Sequence, residues 1–269
     1  MKILFADMDE TLLSSDKTIS KGNLEAIKAM TDKGHGFVLC TGRPLYSCLV
    51  LARQYGFVGR NFYIASFNGG QIVDTADMSE IYHEGITKEM TRSLFDAAKE
   101  RGLNAQTYNN DCILVEPWSD IEYIEWYATR IRMPYKVVED VVAALEADPL
   151  KCIVAHMSDH AALERFQAEI GPRYPLTNNI FSNPVLLEFG SKYASKGRAV
   201  EVLAQKLGVN ISDTIAVGDE ENDLSMIETA GIGVAMKNAV PKVLQAGDVI
   251  TDNDNNHDAI AEIIEKYVM

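Results

Sequence analysis

Two aspartates stand two residues apart in Asp7-Met8-Asp9-Glu10-Thr11, directly after the apolar run at residues 3–6. A second acidic pair, Asp219 and Asp223, follows another apolar run at residues 214–217, inside Gly218-Asp219-Glu220-Glu221-Asn222-Asp223. Carboxylates brought to one point repel unless a cation lies between them, and an all-oxygen ligand set suits a hard ion. Few protein carboxylates with room for water favour Mg²⁺ over Ca²⁺. An EF-hand starting at Asp7 is excluded, because Leu12 takes the sixth position and Thr18 the twelfth, where that loop needs Gly and Glu. Thr41-Gly42-Arg43 and Asn68-Gly69-Gly70 also follow apolar runs and offer hydroxyl, amide, backbone and guanidinium donors. Lys196, within Ser195-Lys196-Gly197, adds an ammonium.

For groups so distant in sequence to act together, the elements must bring them to one edge. Residues 3–6, 37–40 and 62–66 are short apolar runs, and residues 20–34 and 45–55 have helical periodicity between them. Ser20 is the expected N-cap of the first helix and Gly34 its stop. This β-α-β-α-β order predicts an α/β fold, a doubly wound parallel sheet of Rossmann-like type, in which strand exits share one edge and build sites there. The last third continues the style, with a helix at 196–207, strands at 214–217, 232–235 and 249–251, and helices at 222–230 and 259–267. The middle differs. A helix at 88–101 leads into strands at 104–108 and 112–116, a helix at 161–170 leads into two strands ending at 184–189, and a strand at 152–157 lies between. That pattern predicts an α+β module inserted into the α/β domain. The expected division is an α/β domain of residues 1–84 and 190–269, with the inserted module at 85–189.

Composition narrows the function classes. The 269 residues are 47% hydrophobic and 24% charged, which fits folded domains and excludes a largely disordered chain. The net charge of −14 argues against nucleic acid and anionic membrane as partners. No apolar run approaches the roughly 20 residues of a membrane span. The start, MKILFADMDETLL, lacks the long apolar region of a signal peptide. Cys40, Cys48, Cys112 and Cys152 are far apart, with no zinc-ligand spacing and no disulfide pattern, and fit a reducing, cytoplasmic location.

Taken in order, Asp7-Met8-Asp9-Glu10-Thr11-Leu12, Thr41-Gly42-Arg43, Ser195-Lys196-Gly197 and Gly218-Asp219-Glu220-Glu221-Asn222-Asp223 resemble the four motifs of the haloacid dehalogenase superfamily of phosphotransferases. Asn68-Gly69-Gly70, Met226 and the run at 234–239 resemble its Cof-type branch, whose insert is a type-two, subclass-B cap. The resemblance implies a Mg²⁺-dependent phosphatase. Asp7 is then the nucleophile that becomes an aspartyl phosphate, and Asp9 the acid and base, a task that calls for a raised pKa. The implied metal set is Asp7, the Asp9 backbone carbonyl and Asp219, with Asp223 orienting metal-bound water or Lys196. The implied phosphate-holding set is Met8, Thr41, Gly42, Lys196 and Asn222. Glu10 departs from the commonest form, which has Gly there, and so brings an extra acid near the metal.

The substrate implied is a small phosphorylated metabolite, a sugar phosphate first of all. Arg43 and Asn68 are the core candidates to touch it, together with cap segments around Trp118, Asn179 and 182–188. Two other readings compete. A phosphosugar mutase like phosphomannomutase shares core and cap, but needs an arginine-rich second phosphate site, and the cap arginines 92, 101, 130, 132, 165 and 173 are scattered. A silent sugar-phosphate sensor is opposed by the intact Asp7, Asp9, Lys196 and Asp219. The sequence carries no sign of oligomeric state.

Overall fold

The structure, a computed structural model, describes all 269 residues. The chain opens with strand β1 (Ile3–Ala6), helix α1 (Lys21–Asp32), β2 (Gly36–Cys40), α2 (Leu45–Tyr55) and β3 (Phe62–Ser66). Ser20 caps α1 by accepting from the Asn23 N–H at 3.2 Å, and Gly34 turns left-handed just past the helix end. Two strands absent from the sequence reading follow, β4 (Gln71–Asp74) and β5 (Glu80–His83). Both pair antiparallel, so the sheet is mixed and not wholly parallel. They escape notice because β4 offers only Ile72 and Val73 as an apolar stretch between Gln71 and Asp74, and β5 is half-exposed.

Residues 84–194 form a compact unit of their own. It holds α3 (Lys88–Glu100), β6 (Asn104–Tyr108), β7 (Ile113–Val115), α4 (Ile121–Ile131), β8 (Tyr135–Val137), α5 (Val141–Ala144), β9 (Lys151–Ala155), α6 (His160–Ile170), β10 (Thr177–Asn183) and β11 (Leu186–Ser191). Its six strands run β10-β11-β9-β6-β7-β8, antiparallel except for β7 with β8. Alternate residues of the sheet, among them Ala105, Leu114, Cys152, Val154, Leu187 and Phe189, pack with Leu94 and Phe95 of α3 and Phe166 of α6 in one core. The unit ends later than the sequence suggested, because β11 continues to Ser191. Trp118 belongs to this packing: its ring meets Phe95 edge-on at 6.1 Å and its indole N–H donates to Glu116. Asn179 likewise faces its own unit, where its carbonyl accepts from Gln167 at 2.7 Å.

The other unit, residues 1–83 with 195–269, is completed by α7 (Lys196–Leu207), β12 (Thr214–Gly218), α8 (Leu224–Thr229), β13 (Ile232–Ala235), α9 (Pro241–Ala246), β14 (Val249–Ile250) and α10 (Ala259–Ile263). The eight strands lie in the order β14-β13-β12-β1-β2-β3-β4-β5, parallel from β14 to β3. Strand residues alternate between two covered faces, which is why the parallel strands read as unbroken apolar runs. Leu4, Phe37, Leu39, Ile64, Ile215 and Val217 pack on the side of Ile27, Cys48 and Ile260. Ile3, Phe5, Val38, Cys40 and Ala216 face Ala199, Val200 and Leu203 of α7. The helix expected from Asn222 begins instead as a 3-10 turn at Glu221–Asp223, ahead of α8. No helix of the protein is long and apolar enough to cross a membrane.

Candidate active site

β1 and β12 are neighbours in parallel register, so their exits deliver Asp7 and Asp219 side by side. The Asp7 N–H still donates to Val217 at 3.0 Å, which fixes the nucleophile candidate as a continuation of the strand. Leu12 and Leu13 then donate back to the carbonyls of Asp7 and Met8, folding the chain into a tight loop. Lys196 opens α7 and is fully buried. Its ammonium lies 2.5 Å from Asp7 Oδ1 and 2.5 Å from Asp223 Oδ1. The other Asp223 oxygen accepts the Asp219 and Glu220 N–H groups at 2.9 and 3.0 Å. Both oxygens of Asp223 are thus engaged, and its place is to hold Lys196 and the turn that presents Asp219. Asp219 Oδ1 accepts from the Thr11 hydroxyl at 2.6 Å.

Asp7, Asp219 and Asp223 are all buried, with carboxylate oxygens within 4.8 Å of one another. Burial pushes the Asp7 carboxyl up to about 7 against the pull of Lys196, with Asp223 and Asp219 adding to the rise. Burial also raises Asp219 to about 6, opposed by Thr11 and reinforced by Asp223 and Glu220. Lys196 behaves oppositely: burial disfavours its charge, but Asp7 and Asp223 overrule it and hold the ammonium well above the ordinary lysine range. Asp7 and Asp219 each keep one carboxylate oxygen with no donor on it. An oxygen-only set with one free oxygen per acid and only one ammonium among three carboxylates fits a hard divalent cation.

Asp9 lies apart from this cluster. The Arg43 guanidinium grips its carboxylate with two bonds, Nε to Oδ2 at 2.9 Å and Nη2 to Oδ1 at 2.6 Å. Lys17 Nζ stands 3.6 Å from Oδ1. Burial raises the Asp9 carboxyl, but Arg43 and Lys17 outweigh it and hold the group below its usual range. An acid-and-base role for Asp9 calls for the reverse, a rise from neighbouring acids. Those acids turn elsewhere, and two cations take their place. Arg43, expected at the substrate, is here committed to Asp9. Glu10 is not an extra acid at the cluster either, since its carboxylate is taken by Lys17 at 2.6 Å and Asn255 at 2.9 Å.

Thr41 is buried at the exit of β2, with its hydroxyl accepting the Arg43 N–H at 3.2 Å. Gly42 leaves room for Asn68, whose Oδ1 would lie 3.0 Å from a Cβ at that position. The same oxygen accepts from Asn222 at 3.2 Å, so Gly42, Asn68 and Asn222 are neighbours. Met8 is fully buried. Phe67, Asn68 and Gly69 are left-handed in succession. Gly69 is needed there, since a Cβ would meet the Ser195 carbonyl at 2.2 Å. Bare backbone at Gly69 lets this turn abut the start of α7 and sets the position of Lys196. Thr11, on Asp219, and Lys17, beside Asp9, join the expected site residues. Thr11 lies inside the Asp7–Leu12 motif, whereas nothing in spacing marks Lys17.

Residues 4–264 match the family model for haloacid dehalogenase-like hydrolases. A haloacid dehalogenase-like hydrolase from Bacteroides thetaiotaomicron has a crystal structure with TM-score 0.90 and 32% identity, covering 98% of both chains. A crystal structure from Thermotoga maritima gives TM-score 0.89 at 26% identity, over 100% of this chain and 98% of that one. The 5-amino-6-(5-phospho-D-ribitylamino)uracil phosphatase YcsE of Bacillus subtilis is 27% identical over 100% of this chain and 96% of its own.

Proposed function

The chain belongs to the haloacid dehalogenase-like hydrolase family and is a phosphatase of that family, and on that footing we propose that it is a Mg²⁺-dependent hydrolase of small phosphorylated metabolites working through an aspartyl phosphate on Asp7. The observation that carries the reading is the buried Asp7 carboxylate, tied to Lys196 through one oxygen and open at the other. The open oxygen attacks phosphorus, the P–O bond to the leaving alkoxide breaks, and Asp9 supplies that alkoxide with a proton. Water then attacks the same phosphorus, Asp9 takes the water proton, and Asp7 departs as a carboxylate with inorganic phosphate as product. Asp7, Asp219 and the Asp9 carbonyl would hold Mg²⁺, which supplies charge neutralisation between nucleophile and phosphate. Lys196, Thr41, Asn222 and the backbone N–H groups of Met8 and Gly42 hold the phosphoryl oxygens. Held as it is by Arg43 and Lys17, Asp9 suits the second step; to act as acid first, it must lose part of that grip, and Arg43 then becomes free for an anionic group of the substrate.

Sugar phosphates and related polyol phosphates are the substrate class. The Bacillus relative, whose named substrate carries a phosphoribityl chain, supports that choice. The mutase reading loses ground on the cap arginines: Arg92 is paired with Glu116 at 2.5 Å, Arg101 with Glu169 at 3.0 Å and Arg165 with Asp159 at 3.5 Å. The test is a panel of phosphorylated metabolites with Mg²⁺, run on the wild type and Asp7→Asn. Phosphate release confined to the wild type, and stopped by a chelator, is the expected outcome. Turnover by Asp7→Asn, or turnover untouched by chelation, refutes the nucleophile or the metal. Conversion of a sugar 1-phosphate to its 6-phosphate without phosphate release selects the mutase.

A further inference from the structure

Of the seven non-glycine residues with left-handed backbone in this chain, two are Glu10 (φ +57°) and Lys17 (φ +63°), on the loop that follows Asp9. Such a conformation ordinarily favours glycine, and neither long side chain gains from it locally. The surroundings hold both residues in place. The Glu10 carbonyl accepts from Asn238 at 2.8 Å, and its carboxylate accepts from Asn255, whose amide also donates to Leu13 at 3.2 Å. Asn255 is buried. Lys17 sits at the tip of a tight turn in which its N–H donates to Ser14 at 2.8 Å and the Ser14 N–H donates to Thr18 at 2.9 Å. Such strain persists only where neighbours over-determine it.

The product of this arrangement is a row of alternating charges. Glu10 holds the Lys17 ammonium at 2.6 Å, Lys17 reaches Asp9 Oδ1 at 3.6 Å, and Arg43 binds both oxygens of the same carboxylate. A single exposed pair of this kind contributes little, but a network anchored at both ends fixes a side chain. We propose that Glu10 and Lys17 are a positioning pair for the Asp9 carboxylate, with Glu10 aiming Lys17 and Lys17 setting the carboxylate where it takes the proton of the attacking water. The inference rests on the proposed role of Asp9 and adds to it two residues that touch neither phosphate nor metal.

The experiment follows p-nitrophenyl phosphate through its first turnover and into steady state by stopped flow, with saturating Mg²⁺, in the wild type, Glu10→Gly, Lys17→Met, Lys17→Arg and Asp9→Asn. A nitrophenolate leaves without a proton, so attack by Asp7 on this substrate is insensitive to Asp9, whereas hydrolysis of the phosphoenzyme is not. Glu10→Gly suits the left-handed backbone and removes only the carboxylate. Glu10→Gly and Lys17→Met are expected to release the first nitrophenolate within about twofold of the wild-type rate, then to turn over about tenfold more slowly, leaving a stoichiometric burst. Lys17→Arg keeps the charge and is expected to recover most of the steady rate. A first turnover that slows in step with the steady state shows general damage and overturns the proposal, as does a steady rate within twofold of wild type in both variants. Asp9→Asn separates the two layers: without a burst there, the role of Asp9 falls. A burst in Asp9→Asn alone overturns only the positioning pair.

Discussion

Lys196→Met removes one charge from the centre of the site and nearly conserves the shape of the side chain. The ammonium is fully buried and contacts two carboxylates, Asp7 and Asp223, at 2.5 Å each. At an effective dielectric constant of about 20, each contact is worth about 7 kcal/mol of attraction, most of which burial of the ions takes back. Deleting the ammonium alone leaves the burial cost uncompensated, so the metal-free protein should lose about 3–5 kcal/mol of stability at pH 8. The loss should depend on pH in a definite direction. A buried carboxyl whose folded-state pKa lies above its unfolded value binds a proton on folding, so stability rises as pH falls through that window. Asp7 is already raised to about 7 with Lys196 in place, and loses its main lowering influence in the variant. The deficit should therefore shrink between pH 8 and pH 5.5. Urea denaturation of wild type and variant at both pH values, in the presence of chelator, measures it. A deficit under about 1 kcal/mol at pH 8, or one that grows towards pH 5.5, refutes the account of Lys196 as the counter-charge of the acid cluster.

Because burial raises Asp7 to about 7 and Asp219 to about 6, the metal-free site retains protons at pH 6 that a cation must displace. Calorimetry of Mg²⁺ binding in buffers of different ionisation enthalpy should find proton release at pH 6 that fades by pH 8.5, with weaker affinity at pH 6; equal affinity and no release at pH 6 contradict the assignment. Gly218→Ala places a Cβ 2.3 Å from Asp223 Cγ, and so dislodges the side chain that holds Lys196 and the Asp219 N–H. It should cost at least about 3 kcal/mol of stability and abolish phosphatase activity, as measured by thermal unfolding and phosphate release; a stable, active variant refutes the close fit.

The parts of the fold legible in the sequence are those with two buried faces. β1, β2 and β3 are unbroken apolar runs because helices cover both sides of the sheet, and the acids at their ends stand out against that background. β4, β5 and β8 lack such a run. β8 consists of Tyr135, Lys136 and Val137, half or fully exposed, and it pairs only along one edge. At the site, the motif residues of the core came together at one edge of the sheet because parallel strand exits share it. The state of Asp9 was not legible. It depends on which way Arg43 turns and on where a loop puts Lys17, eight residues further on, and neither is fixed by periodicity. Glu10 was visible as an anomaly, but its meaning lay in Asn255 and Asn238, more than two hundred residues away.

An acidic enzyme acting on an anionic substrate is a contradiction only if charge is counted over the whole chain. The −14 is spread over a surface on which salt screens interactions beyond about 10 Å. Within the site, the ledger divides into two parts. Asp9 and Glu10 face Arg43 and Lys17, and together carry no net charge. Asp7, Asp219 and Asp223 face Lys196 alone, an excess of two negative charges when all are ionised, which matches one divalent cation. A site so arranged would repel phosphate when empty and receive it when the cation is bound. Exclusion of phosphate from the metal-free protein and attraction to the loaded one then come from the same three carboxylates.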